Sequence, residues 1–331
     1  MLFRKRRSLP GALLCASVVG AAACGSPSQP GPGIEPGPDT TRTAVPAQGT
    51  PTTLDIGNWN VDWFGATNFG PSDEALQLRN VADVMDGADL DIWGLEEVVD
   101  AGQFATLVSD LSGYAGILAN DPSVVDGPAY YSDFGDTEQK VALVWRTAVA
   151  TLDSARVILT AHDYDFAGRP PVEFHLSVAL NGSAEDLVVI VLHAKSGSDT
   201  ASRDRRDAGA QALKAYLDAT YPTQHVMVIG DFNDDVDTSI TSGQPSPYRY
   251  FVDDPAAYAF PTEALSDAGI ASTVSYPDMI DHQLDTNEQM ATYVAGSVEA
   301  FRADAYIDNY GTTTSDHYPV IARYTVASAG S

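Results

Sequence analysis

The sequence predicts an α/β fold in which short buried strands alternate with amphipathic helices. Apolar runs of strand length occur at 54–59, 92–95, 141–145, 188–193, 226–229 and 320–324. Helical patterns with apolar side chains on one face lie between them, at 74–85 and 203–217. Several strands end directly on polar residues, as at His193 and Asp231. Since a rigid scaffold presents its chemistry on strand ends and the loops after them, the alternation also predicts where the site lies.

The composition is typical of a globular domain with a sizeable core. The chain has 331 residues, of which 44% are hydrophobic and 19% charged. We find no internal repeat and no linker inside the α/β pattern. Residues 53–326 are therefore expected to form one domain, followed by a short tail at 327–331.

Residues 1–23 have the pattern of an export signal. A basic start precedes an apolar stretch at 9–19 that is too short to span a bilayer as a helix. Small residues then lead to Cys24, which resembles a bacterial lipoprotein signal in which this cysteine carries the lipid. Cleavage by an ordinary signal peptidase just before Cys24 is the alternative. The only other cysteine, Cys15, lies in the segment that would be removed. This excludes an internal disulfide and favours lipidation.

Residues 24–52 are rich in Pro, Gly, Ser and Thr and contain almost no large apolar residue. Such a segment cannot bury a core, so we expect a flexible tether that holds the domain off a membrane surface. A merely disordered N-terminus fits the same residues. The expected location is extracellular or in the bacterial cell envelope.

The chain is strongly acidic, with 18 Lys and Arg against 45 Asp and Glu and a formal net charge of −27. A polyanion of this kind repels nucleic acid at long range. Any grip on phosphate must therefore be local, and metal ions are the natural means. A solvated surface adapted to a salty or extracellular setting also explains the acidity.

Seven short motifs are spread in order along the predicted domain. They are Asn58-Trp59-Asn60-Val61-Asp62, Gly94-Leu95-Glu96-Glu97-Val98, Glu138-Gln139-Lys140, Leu192-His193, Gly230-Asp231-Phe232-Asn233, Ile280-Asp281-His282 and Ser315-Asp316-His317-Tyr318-Pro319-Val320. Together they resemble the endonuclease/exonuclease/phosphatase family, and some stretches are similar to deoxyribonuclease I. The resemblance implies a four-layer α/β sandwich, two packed mixed sheets flanked by helices, that hydrolyses phosphate esters.

The resemblance implies a metal site built from oxygen ligands. Glu97 would be the central ligand and Asn60 would support it, while Asp62 and Asp316 match positions that bind the metal or a second ion. Carboxylate and amide oxygens suit hard cations and do not suit zinc. Mg²⁺ is the expected cofactor, with Ca²⁺ or Mn²⁺ as alternatives.

The resemblance also implies two carboxylate-oriented imidazoles. His317 would act as general base or as donor to the phosphate, with Asp281 holding its tautomer. His193 would be the second histidine, with Glu138 as its carboxylate partner. Two imidazoles of this kind can share acid and base roles on opposite sides of phosphorus.

Three further residues complete the predicted site. Asn233 is expected to bind a phosphate oxygen, and Asp231 to orient or deprotonate water. The choice of base between Asp231 and His317 stays open. Arg169 is a candidate phosphate contact, with a surface ion pair as the alternative.

The other histidines and the tryptophans are expected to be structural. His162, His175 and His225 lack partner motifs, and His282 stands where related enzymes often have an aromatic residue. The four tryptophans lie in strand patterns and are expected in the core rather than in base-stacking platforms: Trp59, Trp63, Trp93 and Trp145.

Three functions remain open at this point. The favoured one is an extracellular nuclease that cleaves DNA or RNA, acting as a monomer. The second is a phosphatase or a phospholipid or sphingomyelin phosphodiesterase at a membrane, although the candidate loops at 121–136 and 234–261 are polar and acidic. The third is a non-catalytic binding protein, which the full set of acid, amide and imidazole residues disfavours.

Overall fold

The computed structural model describes residues 44–131 and 138–326. The predicted export signal, the lipidation site at Cys24, the first part of the predicted tether and the predicted tail lie outside the described residues. All described residues fall in one unit that begins at Arg42. Among them, no helix has both the length and the apolar character needed to cross a bilayer.

The described residues form two six-stranded mixed sheets. The first sheet has the order β11-β12-β1-β2-β4-β3. Its strands are β1 (Leu54–Phe64), β2 (Ile92–Val98), β3 (Tyr114–Leu118), β4 (Lys140–Arg146), β11 (Glu299–Ala300) and β12 (Val320–Tyr324). The second sheet has the order β5-β6-β7-β8-β10-β9. Its strands are β5 (Ala150–Val157), β6 (Val172–Leu180), β7 (Ser183–His193), β8 (Val226–Asp231), β9 (Tyr258–Ala259) and β10 (Asp281–Thr286).

Eight α-helices occur in the described part of the chain. Three have ten residues or more: α1 (Glu74–Ala88), α2 (Ala101–Asp110) and α4 (Thr200–Thr220). The others are single turns in loops: α3 (Gly127–Tyr130), α5 (Arg249–Val252), α6 (Glu263–Asp267), α7 (Asn287–Met290) and α8 (Tyr310–Thr313). Aspartate caps start the long helices; Asp73 Oδ1, for example, accepts from Leu76 N at 2.9 Å. The predicted strands and helices are all present, with longer bounds except for the strand at 320–324, whose bounds are unchanged.

Three apolar clusters set the order of the layers. One fills the space between the sheets, with Ile56, Val191 and Ile229 among its members. A second joins the outer face of the first sheet to α1 and α2, and a third joins the outer face of the second sheet to α4. The result is helix, sheet, sheet, helix, which confirms the predicted four-layer sandwich.

Each sheet contains one parallel pair of strands, and the two pairs position the site. In the first sheet β1 runs parallel to β2, and Asn60 lies beside Glu96. In the second sheet β7 runs parallel to β8, and His193 lies beside Asp231. Parallel neighbours end at the same edge of a sheet, so four motifs distant in sequence meet there.

The last described residues of the predicted tether lie against the domain. The backbone N–H groups of Gln48 and Gly49 donate to Ala88 O at 2.8 and 2.9 Å. The Arg323 guanidinium donates to Gln48 O at 2.8 Å, and Val45 packs against the cluster beneath α1. The domain therefore includes residues ahead of the predicted boundary at residue 53.

Candidate active site

Glu97 reaches the cleft because the chain leaves strand geometry at this residue. In β2, Gly94 contacts the second sheet, whereas Trp93 and Leu95 pack outward. Strict alternation would send Glu97 outward as well. Instead Glu97 has a φ of 61°, and the pairing of β2 with its neighbours shifts register here. A bulky residue at positive φ is costly, and such strain concentrates at functional sites.

Asn60 and the Trp63 backbone hold the Glu97 carboxylate. Asn60 Nδ2 donates to Glu97 Oε1 and to Asp231 Oδ2, both at 3.1 Å. The Trp63 backbone N–H donates to Glu97 Oε2, also at 3.1 Å. The Asn60 amide thus joins the acidic ends of the two sheets, and its predicted support of Glu97 is present in the geometry.

Asp231 lies at the bottom of the cleft with both carboxylate oxygens bonded. Oδ1 accepts from the Asn233 backbone N–H at 2.8 Å, and Oδ2 accepts from Asn60. Burial raises the pKa of Asp231 above its ordinary value, and the Asp281 charge raises it further. A carboxylate with a raised pKa is a stronger base, which suits deprotonation of water.

His317 forms the predicted pair with Asp281. His317 Nδ1 lies 2.8 Å from Asp281 Oδ2, and its Nε2 lies 4.0 Å from Asp231 Oδ2. Burial alone would lower the pKa of His317, but the Asp281 carboxylate, with Asp231 and Asp316, raises it well above its ordinary value. The ring is therefore held as an imidazolium whose Nε2–H faces the cleft.

His193 also lies beside Asp231, and its Nδ1 is not bonded to Glu138, its predicted partner. His193 Nε2 lies 3.7 Å from both Glu97 Oε1 and Asp231 Oδ2. Its Nδ1 is buried and has no hydrogen-bond partner. Burial, with the charges of Arg169 and His317, lowers the pKa of His193 well below its ordinary value, so the ring is neutral.

Gln139, the residue after Glu138, is bonded at the cleft. The Gln139 Oε1 atom accepts from the Arg169 guanidinium. β4 starts at the next residue, Lys140. The segment that carries Glu138 therefore contacts the site through Gln139.

The Arg169 side chain faces the acidic cleft and does not form the surface ion pair that was the alternative. Its Nη2 donates to Ala194 O at 3.1 Å, and its buried Nε has no hydrogen-bond partner. No carboxylate among the described residues lies within ion-pair distance of it. Burial lowers the pKa of Arg169, and the charges of Glu97 and Asp231 oppose this shift. Its spare N–H group is suited to a phosphate oxygen. Asn233 Nδ2 bonds the same Ala194 O at 3.3 Å, so the two predicted phosphate contacts share one anchor.

The carboxylates of Asp62, Asp316 and Glu97 lie close enough to act on one another through their charges. Burial raises the pKa of Asp62 to about 7, with further contributions from the Asp316 and Glu97 charges. Asp62 has a φ of 50°, which places it in the irregular end of β1. Each of these three carboxylates disfavours the ionised form of the others, and a bound cation would relieve this repulsion. Their oxygen atoms are the ligands that hard divalent cations prefer.

Among the described residues, Asp231, Asp281 and His317 form the one group of three with metal-ligand geometry, in which one ligand atom from each lies within 4.8 Å of the others. This group shares no residue with the predicted metal site, whose carboxylates are not brought that close. In the group, His317 Nδ1 already bonds Asp281. An acid–base pair therefore explains it, and the metal site at Glu97, Asn60, Asp62 and Asp316 stays a prediction.

Glu96 is a buried acid beneath the site that the sequence did not single out for a role. It is fully buried, and neither carboxyl oxygen has a hydrogen-bond partner. Gly230 leaves room for it, since a Cβ at that residue would lie 2.8 Å from Glu96 Oε1. Burial, followed by the Asp281 and Asp231 charges, raises the pKa of Glu96 well above its ordinary value, which favours its protonated form.

Gln77 of α1 is a second residue that the sequence interpretation missed. Its fully buried amide donates to Val61 O and Asp62 O at 2.8 Å and to Thr314 O at 3.1 Å. It thereby ties the end of β1 to the turn that carries Asp316. The signal was present, because Gln77 lies on the predicted apolar face of this helix, where a polar side chain needs partners.

The remaining histidines lie outside the cleft with local partners. His162 contacts Asp165, His175 contacts Glu173 and His225 contacts Gln289. His282 is fully buried with its edges toward Phe232 and Phe260. Burial lowers the pKa of His282 to about 4, so its neutral ring serves as the aromatic residue expected there.

Comparisons with known proteins agree with this geometry. The model of the Endonuclease/Exonuclease/phosphatase family matches residues 57–317. No curated protein matches the sequence significantly. A similar fold occurs in the human Nocturnin catalytic domain with bound sulfate anion, at 17% identity and a TM-score of 0.58 over 83% of this chain and 94% of that chain. Another occurs in D. rerio TDP2 complexed with single strand DNA product, at 14% identity and a TM-score of 0.56 over 82% of this chain and 99% of that chain. A Bacteroides vulgatus endonuclease/exonuclease/phosphatase is also similar (16%, 0.56, 83% and 100%).

The family match therefore covers most of the chain, and the motifs that carry it end in one cleft. These structural likenesses have low identity and establish the fold, whereas the sequence match establishes the family. The chain belongs to the endonuclease/exonuclease/phosphatase family and is a hydrolase that acts on phosphate esters.

Proposed function

We propose that this protein is an exported, metal-dependent phosphodiesterase that hydrolyses nucleic acid by in-line attack of water. The observation that carries the proposal is that the Nε2 atoms of His317 and His193 both lie within 4.0 Å of Asp231 Oδ2, which Asn60 links to the Glu97 carboxylate. The resemblance of the first motif to deoxyribonuclease I favours DNA, with RNA as the alternative. The bound DNA product of the similar TDP2 structure is consistent with this choice.

In the proposed mechanism Asp231 accepts the proton of the attacking water. Asn60 and Asn233 fix the orientation of its carboxylate. His317 donates from Nε2 to the phosphate or the leaving oxygen, while Asp281 stabilises its positive charge. Of the two candidates for the base, Asp231 and His317, the proposal thus takes Asp231.

Three other groups bind the phosphate. Arg169 and Asn233 supply N–H donors on the side of Ala194 O. His193 is neutral, so it adds a ring nitrogen to the cleft without repelling a cation at Glu97. A divalent cation held by Glu97, Asp62 and Asp316, with Asn60 in support, supplies charge stabilisation for the phosphate when bound.

A second candidate function is a phosphodiesterase acting on phospholipid or sphingomyelin. Its support is an apolar loop that the sequence interpretation did not weigh. Ile270, Val274 and Tyr276 are exposed, and the Val274 backbone N–H bonds Asp316 O at 2.8 Å. Lipid substrates need apolar contacts at this position beside the cleft.

A substrate panel separates these functions. The purified protein is incubated with plasmid DNA, RNA, sphingomyelin vesicles and a phosphomonoester, in Mg²⁺ and then in EDTA, with His317→Ala as the inactive control. We expect Mg²⁺-dependent cleavage of nucleic acid that EDTA abolishes. Cleavage of the vesicles alone would establish the lipid function instead. Full activity in EDTA would contradict the requirement for a divalent cation.

We also propose export, with lipid attachment at Cys24, and action as a monomer. The support is the signal pattern and the single cysteine that remains after cleavage. A palmitate label that disappears in Cys24→Ser is the expected result. Equal processing and solubility of the Cys24→Ser and wild-type proteins would indicate secretion without lipid attachment. The mass of a dimer in light scattering would contradict the proposal that the protein acts as a monomer.

A further inference from the structure

Trp63 is not a core residue, contrary to the sequence-based expectation. The other three tryptophans are buried, with Trp59 and Trp93 fully inaccessible. Trp63 is only half-buried and belongs to none of the apolar clusters among the described residues. Its ring stacks on Phe69, with centroids 4.5 Å apart and planes inclined by 24°. Phe69 is 44% exposed, so the pair presents an aromatic surface to solvent.

The backbone of Trp63 is bonded to the candidate metal site. The Trp63 backbone N–H donates to Glu97 Oε2 at 3.1 Å. The backbone N–H of the preceding residue, Asp62, donates to Asn60 Oδ1 at 3.0 Å. The segment that carries the Trp63 ring is therefore held by the residues expected to support the metal.

The backbone around Trp63 is built to hold the pair in place. Asp62 and Trp63 both have positive φ, 50° and 53°, which is strained for side chains of this size. Gln77 fixes this turn, since it donates to Asp62 O and accepts from the Gly65 N–H. At Gly70 a Cβ would lie 2.6 Å from Asp62 O and 3.0 Å from Trp63 Cβ, so only glycine lets the loop that carries Phe69 fold back over Trp63.

We propose that Trp63 and Phe69 form a stacking subsite for a nucleobase adjacent to the scissile phosphate. The inference rests on the proposed nuclease function and names how that substrate is held. With a formal net charge of −27, the protein cannot gather nucleic acid by long-range attraction. Stacking needs no positive charge and accepts every base, because each base has a π-face.

The test compares two single-stranded oligonucleotides in Mg²⁺, one with all bases and one with abasic residues on both sides of the scissile phosphate. The variants are Phe69→Ala, which removes the exposed ring, and Phe69→Leu, which keeps apolar bulk without a π-face. For both variants we expect KM on the base-bearing strand to rise by about tenfold or more, with kcat within about twofold, because one stacked base is lost. KM on the abasic strand should not change.

Tyr164→Ala is the matched control, since Tyr164 is another exposed aromatic residue, which contacts Arg205. We expect both its KM values to equal those of wild type. Equal rises on the two strands in Phe69→Ala, or no rise on the base-bearing strand, would overturn the subsite while leaving the nuclease function intact. Loss of binding to phosphatidylcholine vesicles, with KM on the base-bearing strand unchanged, would replace it with a lipid contact. Failure of the wild type to bind or cleave either strand would overturn both proposals.

Discussion

At the scale of single residues, the site depends on how burial and neighbouring charges divide the protons among its groups. Glu97 is the carboxylate best placed for a cation, with Asn60 and the Trp63 N–H fixing its two oxygens. Asp231 and His317 are close enough to influence each other's charge. Each group therefore has its own role, which a single substitution can test.

Replacing Glu97 with Gln removes the charge at nearly constant size. We expect activity to fall by about 10²–10³-fold, because electrostatic stabilisation of the phosphate is lost. Calorimetric titration of Mg²⁺ should show the loss of binding independently of activity. Asp86→Asn, an exposed acid of α1, is the control and should bind and cleave normally. Normal Mg²⁺ affinity in Glu97→Gln would place the metal elsewhere.

Replacing His317 or His193 with Ala should reduce turnover by about 10²–10⁴-fold if each moves or stabilises a proton. Asp281→Asn should cost less, because it leaves the imidazole in place. Glu138→Gln should have little effect, since Glu138 does not pair with His193. A loss in Glu138→Gln as large as that in His193→Ala would restore the pairing predicted from sequence.

The dependence of kcat/KM on pH should have two limbs. Asp231 works as a base only when ionised, so the rate falls as pH falls through its raised pKa. His317 works as a donor only when protonated, so the rate falls as pH rises through its raised pKa. Asp281→Asn removes the charge that raises the pKa of His317 and should move the alkaline limb to lower pH. A profile that stays flat at high pH would show that His317 does not act as the donor.

At the scale of elements, α1 positions the first sheet's share of the site. Gln77 binds the end of β1 and the turn before Asp316, and the Asn80 amide bonds Thr313 and Thr314 in the same turn. The helix therefore connects two acidic loops through side-chain amides.

Gln77→Leu should lower both stability and rate. The lost bonds leave buried carbonyl groups unsatisfied, which costs about 1–3 kcal/mol in the free energy of unfolding. We expect kcat to fall as well, because Asp62 and Asp316 lose their common support. Gln211→Leu on the exposed face of α4 is the matched control and should change neither quantity. A stability loss without any change in kcat would restrict Gln77 to a structural role.

At the scale of the whole molecule, the cleft concentrates negative charge in a protein that is already acidic. The raised pKa values of Asp62, Asp231 and Glu96 mean that the folded state holds protons that the unfolded chain has released. Stability from these groups is fully present below the unfolded pKa and is lost as pH rises through the folded pKa.

We therefore expect the Tm in EDTA to fall between pH 6.5 and 8.5. Asp62 completes its ionisation near its pKa of about 7, and the raised pKa values of Glu96 and His317 let the folded state keep protons that the unfolded chain has released. His193 and His282 add little slope there, because above about pH 6.5 imidazole is mostly neutral in the unfolded chain as well. Mg²⁺ should raise the Tm by several degrees, and the increase should be larger at the upper end of this pH range. Thermal unfolding with and without Mg²⁺ checks this, with Glu97→Gln as the variant that should not respond. A Tm that rises over this range in EDTA would contradict it.

The sequence by itself determined the strands and long helices, the layer order implied by the family motifs, and the His317–Asp281 pair. Periodic apolar patterns determine which face of an element is buried, and ordered motifs bring strand ends together. Only the tertiary structure showed that His193 Nδ1 is not bonded to Glu138, that Glu96 is fully buried and that Trp63 lies outside the core. These outcomes depend on residues at positive φ, where strand alternation stops, and on burial by distant segments, which sets the protonation of each group. Neither is encoded in local spacing, so the sequence predicted the members of the site and the fold decided their chemistry.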